Sequence, residues 1–103
     1  MAIATGSMTP NINIGDVVFV QKVNPADIKL HDIIEYKSKT DNISIVHRVI
    51  EIEKKQGGLY FITKGDNNIS NDANPVFQDQ VVGKVIYRMP VIGYPAVWLN
   101  LSK

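Results

Sequence analysis

Three kinds of side chain in this sequence have the chemistry needed for nucleophilic catalysis: a serine, a histidine and two aspartates. Ser7 lies between a glycine and a methionine in the stretch ATGSMTPNINIGDVVFV. A serine becomes a nucleophile when a general base lies within hydrogen-bond reach, a third group orients that base, and donors bind the oxyanion. Serine is also an ordinary loop residue, so the rest of the chain has to supply these groups.

The chain contains two histidines, which limits the choice of a base. His31 lies in KLHD, a predicted turn, where the simpler interpretation is a solvent-exposed loop residue. His47 lies in ISIVHRVIEI, between apolar β-branched residues of a predicted strand. There it must either satisfy its ring nitrogens within the core or present them to a cleft. His47 is therefore the candidate base, and a purely structural histidine is the alternative.

Two aspartates follow the next predicted strand, LYFITK. Asp66 and Asp72 lie in GDNNISNDANP, and a hairpin at Gln56-Gly57-Gly58 would place this loop beside the strand of His47. Aspartates commonly cap turns through their own backbone, so a structural role is the alternative for each. The residues alone do not rank the two as orienting groups for His47.

The elements that would position these side chains are mainly strands. Five segments rich in β-branched and aromatic residues are separated by turn-forming residues, and one short segment suggests a helical turn. The predicted strands are residues 16–23, 33–37, 43–53, 59–64 and 81–88, and the helical turn is residues 25–30. We predict a single mostly β domain over residues 1–103, a small coiled antiparallel sheet or barrel-like fold with little helix.

Composition excludes several other kinds of function. The 103 residues contain no cysteine, which excludes disulfides, a thiolate nucleophile and cysteine metal sites. A net charge of +1 with scattered lysines gives no reason to expect nucleic acid. No window reaches the roughly 18–20 consecutive apolar residues that span a bilayer, and no cleavable signal peptide is visible. We expect this chain to be soluble and to need neither a metal nor another cofactor.

Several blocks of the sequence, in order and spacing, resemble type I signal peptidase over roughly residues 5–93. In chain order they are Ser7-Met8 with Pro10, Gly15-Asp16, Asp32-Ile33-Ile34-Glu35-Tyr36, Val46-His47-Arg48-Val49, Thr63-Lys64-Gly65-Asp66-Asn67-Asn68 with Asp72, Val82-Gly83-Lys84, and Pro90-Val91-Ile92-Gly93. The histidine and KGDNN blocks resemble the endoplasmic-reticulum-type branch of eukaryotes, archaea and some spore-forming bacteria. In the ordinary bacterial branch a lysine occupies the position of His47.

The resemblance implies a role for each candidate residue. Ser7 would attack the scissile carbonyl, with His47 as general base. Asp72 is the first choice for the group that orients His47, and Asp66 is the second. The Thr5 hydroxyl and the backbone N–H of Ser7 would bind the oxyanion, with a plain β-edge residue as the alternative for Thr5. A histidine base needs less burial than a lysine base, since the ordinary pKa values are about 6.5 and 10.4.

The family also implies substrates, partners and location. Signal peptides of preproteins would bind as an added β-strand and be cut after small residues, in Ala-X-Ala sites. Ile3, Met8 and Ile12 match positions that line the substrate pockets, with core packing as the alternative. We expect membrane helices beside this domain in the native protein, which would lie on the extracytoplasmic or lumenal face, together with accessory subunits. Residues 91–101 would either rest on the lipid surface or pack on the sheet.

One departure and one alternative function accompany this resemblance. His31 stands where the family usually has glycine, which predicts a positive φ at a residue that tolerates it. The alternative is a catalytically silent or partner-dependent β domain that binds extended peptides without cutting them. Self-cleaving repressor domains, which are related, use lysine as the base, and His47 argues against that class.

Overall fold

A computed structural model of the chain describes residue 3 and residues 6–90, and these form an antiparallel six-stranded sheet with two short 3-10 turns. The strands are β1 (Val17–Gln21), β2 (Ile33–Lys37), β3 (Ser44–Lys55), β4 (Gly58–Lys64), β5 (Val76–Phe77) and β6 (Val81–Met89), and the turns are Pro25–Asp27 and Gln78–Gln80. The spatial order is β1-β6-β2-β3-β4-β5. The prediction of a mostly β fold with little helix is confirmed. Within the described part of the chain, no helix has the length and apolar character needed to cross a bilayer.

The hairpin of β3 and β4 brings His47 close to the loop that carries the aspartates. Gly57 and Gly58 have φ values of 100° and 143°, a region that glycine tolerates because it lacks a Cβ. β3 pairs with β2 on one side, where His47 lies opposite Ile34, and with β4 on the other. The end of β4, and therefore the loop after it, lies beside His47, as the turn signal at Gln56-Gly57-Gly58 predicted.

Two hydrophobic clusters cover the two faces of this sheet. Ile33 and Val46 alternate along their strands with Ile34 and His47, so these two pairs point to opposite faces. One cluster consists of Ile28, Ile34, Tyr36, Val49, Phe61 and Val76. The other consists of Ile3, Met8, Ile12, Val18 and Val46. Met8 and Ile12, which follow Ser7 in the chain, therefore pack on the face opposite the one to which His47 belongs.

The segment of residues 6–15, which we call the serine segment, is fastened to the sheet through Asp16. Asp16 is fully buried, and its Oδ2 accepts hydrogen bonds from the backbone N–H of Asn13 (2.8 Å) and from Arg88 on β6 (3.2 Å). Gly15 precedes it with a φ of 90°. The Gly15-Asp16 block thus ends the serine segment and anchors it to β6 as β1 begins.

His31 lies in an exposed turn before β2, as the sequence predicted. Its φ is 76°, which confirms the positive φ expected at this position. The backbone also makes contacts there: its N–H donates to the Val49 carbonyl (2.8 Å), and its carbonyl accepts from Arg48 Nη1 (2.7 Å). The exposed side chain is consistent with an ordinary loop residue.

Candidate active site

Ser7, His47 and Asp72 form a continuous chain of hydrogen bonds. His47 Nε2 lies 3.1 Å from Ser7 Oγ, and His47 Nδ1 lies 2.6 Å from Asp72 Oδ2. The three residues come from the serine segment, from β3 and from the loop after β4. The fold therefore brings together three of the four residues considered for catalysis, which are separated by up to 65 positions in the sequence (7 to 72).

The direction of these hydrogen bonds follows from the groups that make them. An ionised carboxylate only accepts, so the proton of a neutral His47 belongs on Nδ1, facing Asp72. Its Nε2 then presents a lone pair to the Ser7 hydroxyl. His47 is only 9% exposed, so little water competes for either nitrogen. This arrangement can move a proton from serine to histidine while the carboxylate stabilises the imidazolium.

Asp72 is held in place by β2 and β4. Thr63 Oγ1 donates to Asp72 Oδ2 over 2.6 Å, and the Asp72 backbone N–H donates to the Thr63 carbonyl over 2.8 Å. The Tyr36 hydroxyl donates to the same Oδ2 over 3.2 Å. Three donors, including His47, converge on one carboxylate oxygen, which fixes the side chain of a residue that comes from an otherwise irregular loop.

The start of the same loop holds the serine segment. The Asn67 backbone N–H donates to the Ser7 carbonyl over 2.7 Å, and the Asp66 backbone N–H points to Met8 Sδ at 3.3 Å. At Gly65, a Cβ would lie 2.6 Å from the Ser7 carbonyl oxygen and 3.0 Å from the Ser7 Cβ. The position of the candidate nucleophile therefore depends on the absence of a side chain at Gly65.

Asp66, the second candidate for orienting His47, has other partners. Arg48 Nε and Nη2 donate to its two carboxylate oxygens over 2.9 and 2.8 Å, and Asn11 Nδ2 donates over 2.7 Å. These hydrogen bonds, chiefly those of Arg48, lower the pKa of Asp66, and Asp66 in turn raises the pKa of Arg48. Asp66 thus connects β3 to the serine segment, whereas Asp72 is the carboxylate that contacts His47.

The remaining predicted residues are placed differently. Ile3, Met8 and Ile12 are 8%, 1% and 2% exposed and belong to the second hydrophobic cluster, which favours their core-packing alternative. Thr5, the candidate oxyanion donor, lies outside the described residues, as does the predicted lipid-facing segment of residues 91–101.

A cavity of about 460 Å³ opens on the Asp72 side of His47. Tyr36, Ile45 and His47 line it from the sheet, and Asp72 and its neighbours line it from the loop. Over the part of the chain that is described, no group of three or more His, Cys, Asp or Glu side chains is arranged to hold a metal ion.

Sequence reasoning assigned no role to four residues that position the site: Tyr36, Arg48, Thr63 and Gly65. All four lie within the blocks that resemble signal peptidase, but their types give no local signal. A buried tyrosine or threonine in a strand has the same pattern as any core residue. Only the pairing of β2, β3 and β4 shows that the polar atoms of Tyr36 and Thr63 meet at Asp72 and that those of Arg48 meet at Asp66.

Comparison with known proteins gives a consistent family assignment. Over 114 aligned residues the chain is 31% identical to the signal peptidase complex catalytic subunit SEC11 of Lachancea thermotolerans, covering all of this chain and 67% of that protein. It is 32% identical to the subunit SEC11C of Homo sapiens, covering 97% of this chain and 56% of that protein. A catalytic subunit of the same complex from Pyrenophora tritici-repentis is 34% identical, with 97% and 62% covered.

These relatives are longer than the chain, which spans between 56% and 67% of their lengths. No protein-family model matches the chain. The aligned region nevertheless includes Ser7, His47 and both aspartates, because it covers nearly every residue. On this similarity, the chain belongs to the family of signal peptidase complex catalytic subunits, the endoplasmic-reticulum type of signal peptidase.

Proposed function

We propose that the protein is a serine endopeptidase that removes N-terminal signal peptides from preproteins through an acyl-enzyme. The observation that carries this proposal is the hydrogen-bond chain from Ser7 Oγ through His47 to Asp72 Oδ2. Family membership supports the same reaction, because the relatives are named as catalytic subunits of the signal peptidase complex.

The proposed reaction assigns one task to each group of the chain. Ser7 Oγ attacks the scissile carbonyl as its proton moves to His47 Nε2, and Asp72 stabilises the imidazolium. His47 then gives that proton to the leaving amine, and the N-terminal part of the substrate stays attached to Ser7 as an ester. Water, activated by His47, hydrolyses the ester and restores the free serine. The Ser7 N–H and the Thr5 hydroxyl are the proposed donors to the oxyanion.

The proposed substrates are preproteins with Ala-X-Ala sites, bound as a strand added beside the serine segment. Main-chain hydrogen bonds would provide affinity, and small pockets would select small side chains. By analogy with the complex named for its relatives, we further propose that the whole protein works with accessory subunits. It would be membrane-anchored, with this domain at the lipid surface on the extracytoplasmic or lumenal face.

The direct test is cleavage of a synthetic signal peptide with an Ala-X-Ala site, in detergent, followed by mass spectrometry. We expect one cut after the second alanine, and we expect Ser7→Ala to abolish it because no other nucleophile replaces the hydroxyl. Ser70→Ala, at an exposed position of the loop after β4, is the matched control and should cleave normally.

Two other results would contradict the proposal. Full cleavage by Ser7→Ala would exclude Ser7 as the nucleophile. The second result concerns the unmodified protein, tested as the membrane-anchored full chain with its partners. If it binds the peptide but does not cut it, a catalytically silent peptide-binding domain would be favoured.

A further inference from the structure

Tyr36 carries a buried hydroxyl in the middle of a hydrophobic cluster. The residue is 5% exposed and packs with Ile34, Val49 and Phe61 on one face of the sheet. Its hydroxyl lies 3.2 Å from Asp72 Oδ2 and 3.3 Å from Thr63 Oγ1. Burying a hydroxyl costs free energy unless it is hydrogen-bonded. A phenylalanine would therefore suit this cluster better if the hydroxyl had no function.

The hydroxyl proton of Tyr36 is directed at the acid of the candidate triad. Thr63 has a single hydroxyl proton, and the short 2.6 Å contact shows that Thr63 donates this proton in a hydrogen bond to Asp72 Oδ2. The Thr63 oxygen is then an acceptor, so the Tyr36 proton goes to Asp72 Oδ2 or is shared between the two oxygens. Burial, with a further contribution from the charge of Asp72, raises the pKa of Tyr36 to about 12, so the phenol keeps this proton at neutral pH.

The geometry points to a specific effect on His47. Oδ2 of Asp72 accepts from Tyr36, Thr63 and His47 Nδ1, so the three donors share one oxygen's electron density. The Tyr36 ring also meets the His47 ring edge-on, with centroids 6.5 Å apart. Tyr36 therefore contacts both members of the acid–base pair.

We infer that Tyr36 is a positioning residue: its hydroxyl holds the Asp72 carboxylate against His47 and moderates the strength of the Asp72–His47 hydrogen bond. The expected effect on kcat rests on the proposed peptidase function, whereas the expected effect on the NMR signal of His47 does not. Thr63 acts with Tyr36 as the second fixed donor on the same oxygen.

The first test is the kinetics of Tyr36→Phe, which keeps the ring and its packing and removes only the hydroxyl. We expect kcat to fall roughly tenfold with little change in KM, since a hydrogen bond to a charged group is lost and the proposed substrate strand lies beside the serine segment. Tyr60→Phe is the matched control, because Tyr60 lies on β4 and its ring packs against Phe77. Its kcat should not change.

The second test measures the hydrogen bond between His47 and Asp72 directly and does not require catalytic turnover. The Nδ1–H group of His47, followed by ¹H and ¹⁵N NMR and assigned against His47→Gln, should move downfield in Tyr36→Phe. The reason is that Asp72 then has one donor fewer and accepts more strongly from His47. Thr63→Val should shift the signal in the same direction, and Thr63→Ser, which restores a hydroxyl, should return it toward its original position.

The outcomes separate this inference from the proposed function. A shifted Nδ1–H signal in a protein that does not cleave peptide would support the role of Tyr36 while contradicting the peptidase. Normal cleavage by the unmodified protein, with an unchanged kcat and an unmoved signal in Tyr36→Phe, would overturn the inference alone. If Tyr36→Phe does not fold, the signals of Thr63→Val and Thr63→Ser decide the same question.

Discussion

Asp66 and Asp72 carry the same side chain in the same loop, yet their carboxylates have different partners. Arg48 follows His47 directly in β3, and the pleat of the strand points the two side chains to opposite faces. Asp66 pairs with Arg48, and Asp72 pairs with His47. The sequence indicates that two carboxylates lie near one histidine, but which carboxylate meets it depends on the path of the loop, which composition does not encode.

Substitution of the two aspartates tests this difference at the level of single residues. Asp72→Asn should reduce kcat by roughly 10⁴-fold, as for the acid of a Ser-His-Asp triad, because an amide no longer holds the histidine in the required tautomer. Asp66→Asn should cost about tenfold or less, because it loosens the serine segment without touching His47. Peptide cleavage under single-turnover conditions gives both values.

Thermal unfolding of both variants shows whether they are folded at the assay temperature. If Asp66→Asn lowered kcat more than Asp72→Asn, the carboxylate that contacts His47 in the resting protein would not be the one that stabilises His47 during the reaction.

At the level of elements, the strands of five or more residues follow from their residue types, whereas the two-residue strand β5 does not. β1, β2, β3, β4 and β6 all coincide with the predicted β-branched and aromatic runs to within two residues. β5 is only two residues long, between Pro75 and a 3-10 turn, and was not predicted. So short a segment is a strand only because the edge of β4 supplies its hydrogen bonds, and this information lies in the tertiary structure.

The loop after β4 has two tasks, since it holds the Ser7 backbone at its beginning and supplies Asp72 near its end. Gly65 is where it approaches the serine segment most closely: an added Cβ would lie 2.6 Å from the Ser7 carbonyl oxygen. A backbone atom has no rotamer with which to move away, so the whole serine segment must shift. The turn-forming composition of this loop predicts irregular backbone, but not this contact.

Gly65→Ala should therefore impair catalysis more than stability. We expect kcat to fall about a hundredfold, which is typical when a reacting group is displaced by around 1 Å. Peptide cleavage and thermal unfolding measure the two effects separately.

Gly57→Ala provides the opposite pattern as a control. Gly57 lies at the β3–β4 turn with a φ of 100° and open space around it, so alanine there should lower the unfolding temperature through backbone strain and leave kcat unchanged. Unimpaired cleavage by Gly65→Ala would contradict the close packing of the loop against Ser7.

For the molecule as a whole, the candidate site lies where three segments of the chain meet, and separate contacts fix each segment to the sheet. The serine segment is fixed to β6 through Asp16 and Arg88 and to β3 through Asn11, Asp66 and Arg48. His47 belongs to the hairpin of β3 and β4, and a hydrogen bond from Thr63 on β4 holds Asp72 in place. The presence of a serine, a histidine and aspartates predicted the participants, but the anchors that bring them into register connect residues as much as 72 positions apart.

The Asp66 anchor makes part of the stability of the whole fold depend on pH. Hydrogen bonds from Arg48, more than any other cause, lower the pKa of Asp66 in the folded protein, so the unfolded chain binds a proton at this residue more readily. The stabilisation is therefore complete above the ordinary aspartate pKa of about 3.9 and disappears as the pH falls through the lower pKa of the folded state.

Thermal unfolding of the original protein and of Asp66→Asn from pH 7 to pH 2 tests this anchor. Asp66→Asn should unfold at a lower temperature at neutral pH. The two curves should begin to converge below about pH 4 and should meet once the pH has passed through the lowered pKa of Asp66 in the folded protein. Asn11→Ala, which removes a weaker contribution to the same shift, should keep most of the acid dependence. Curves that stay parallel throughout would mean that the Arg48–Asp66 pair adds no charge-dependent stability.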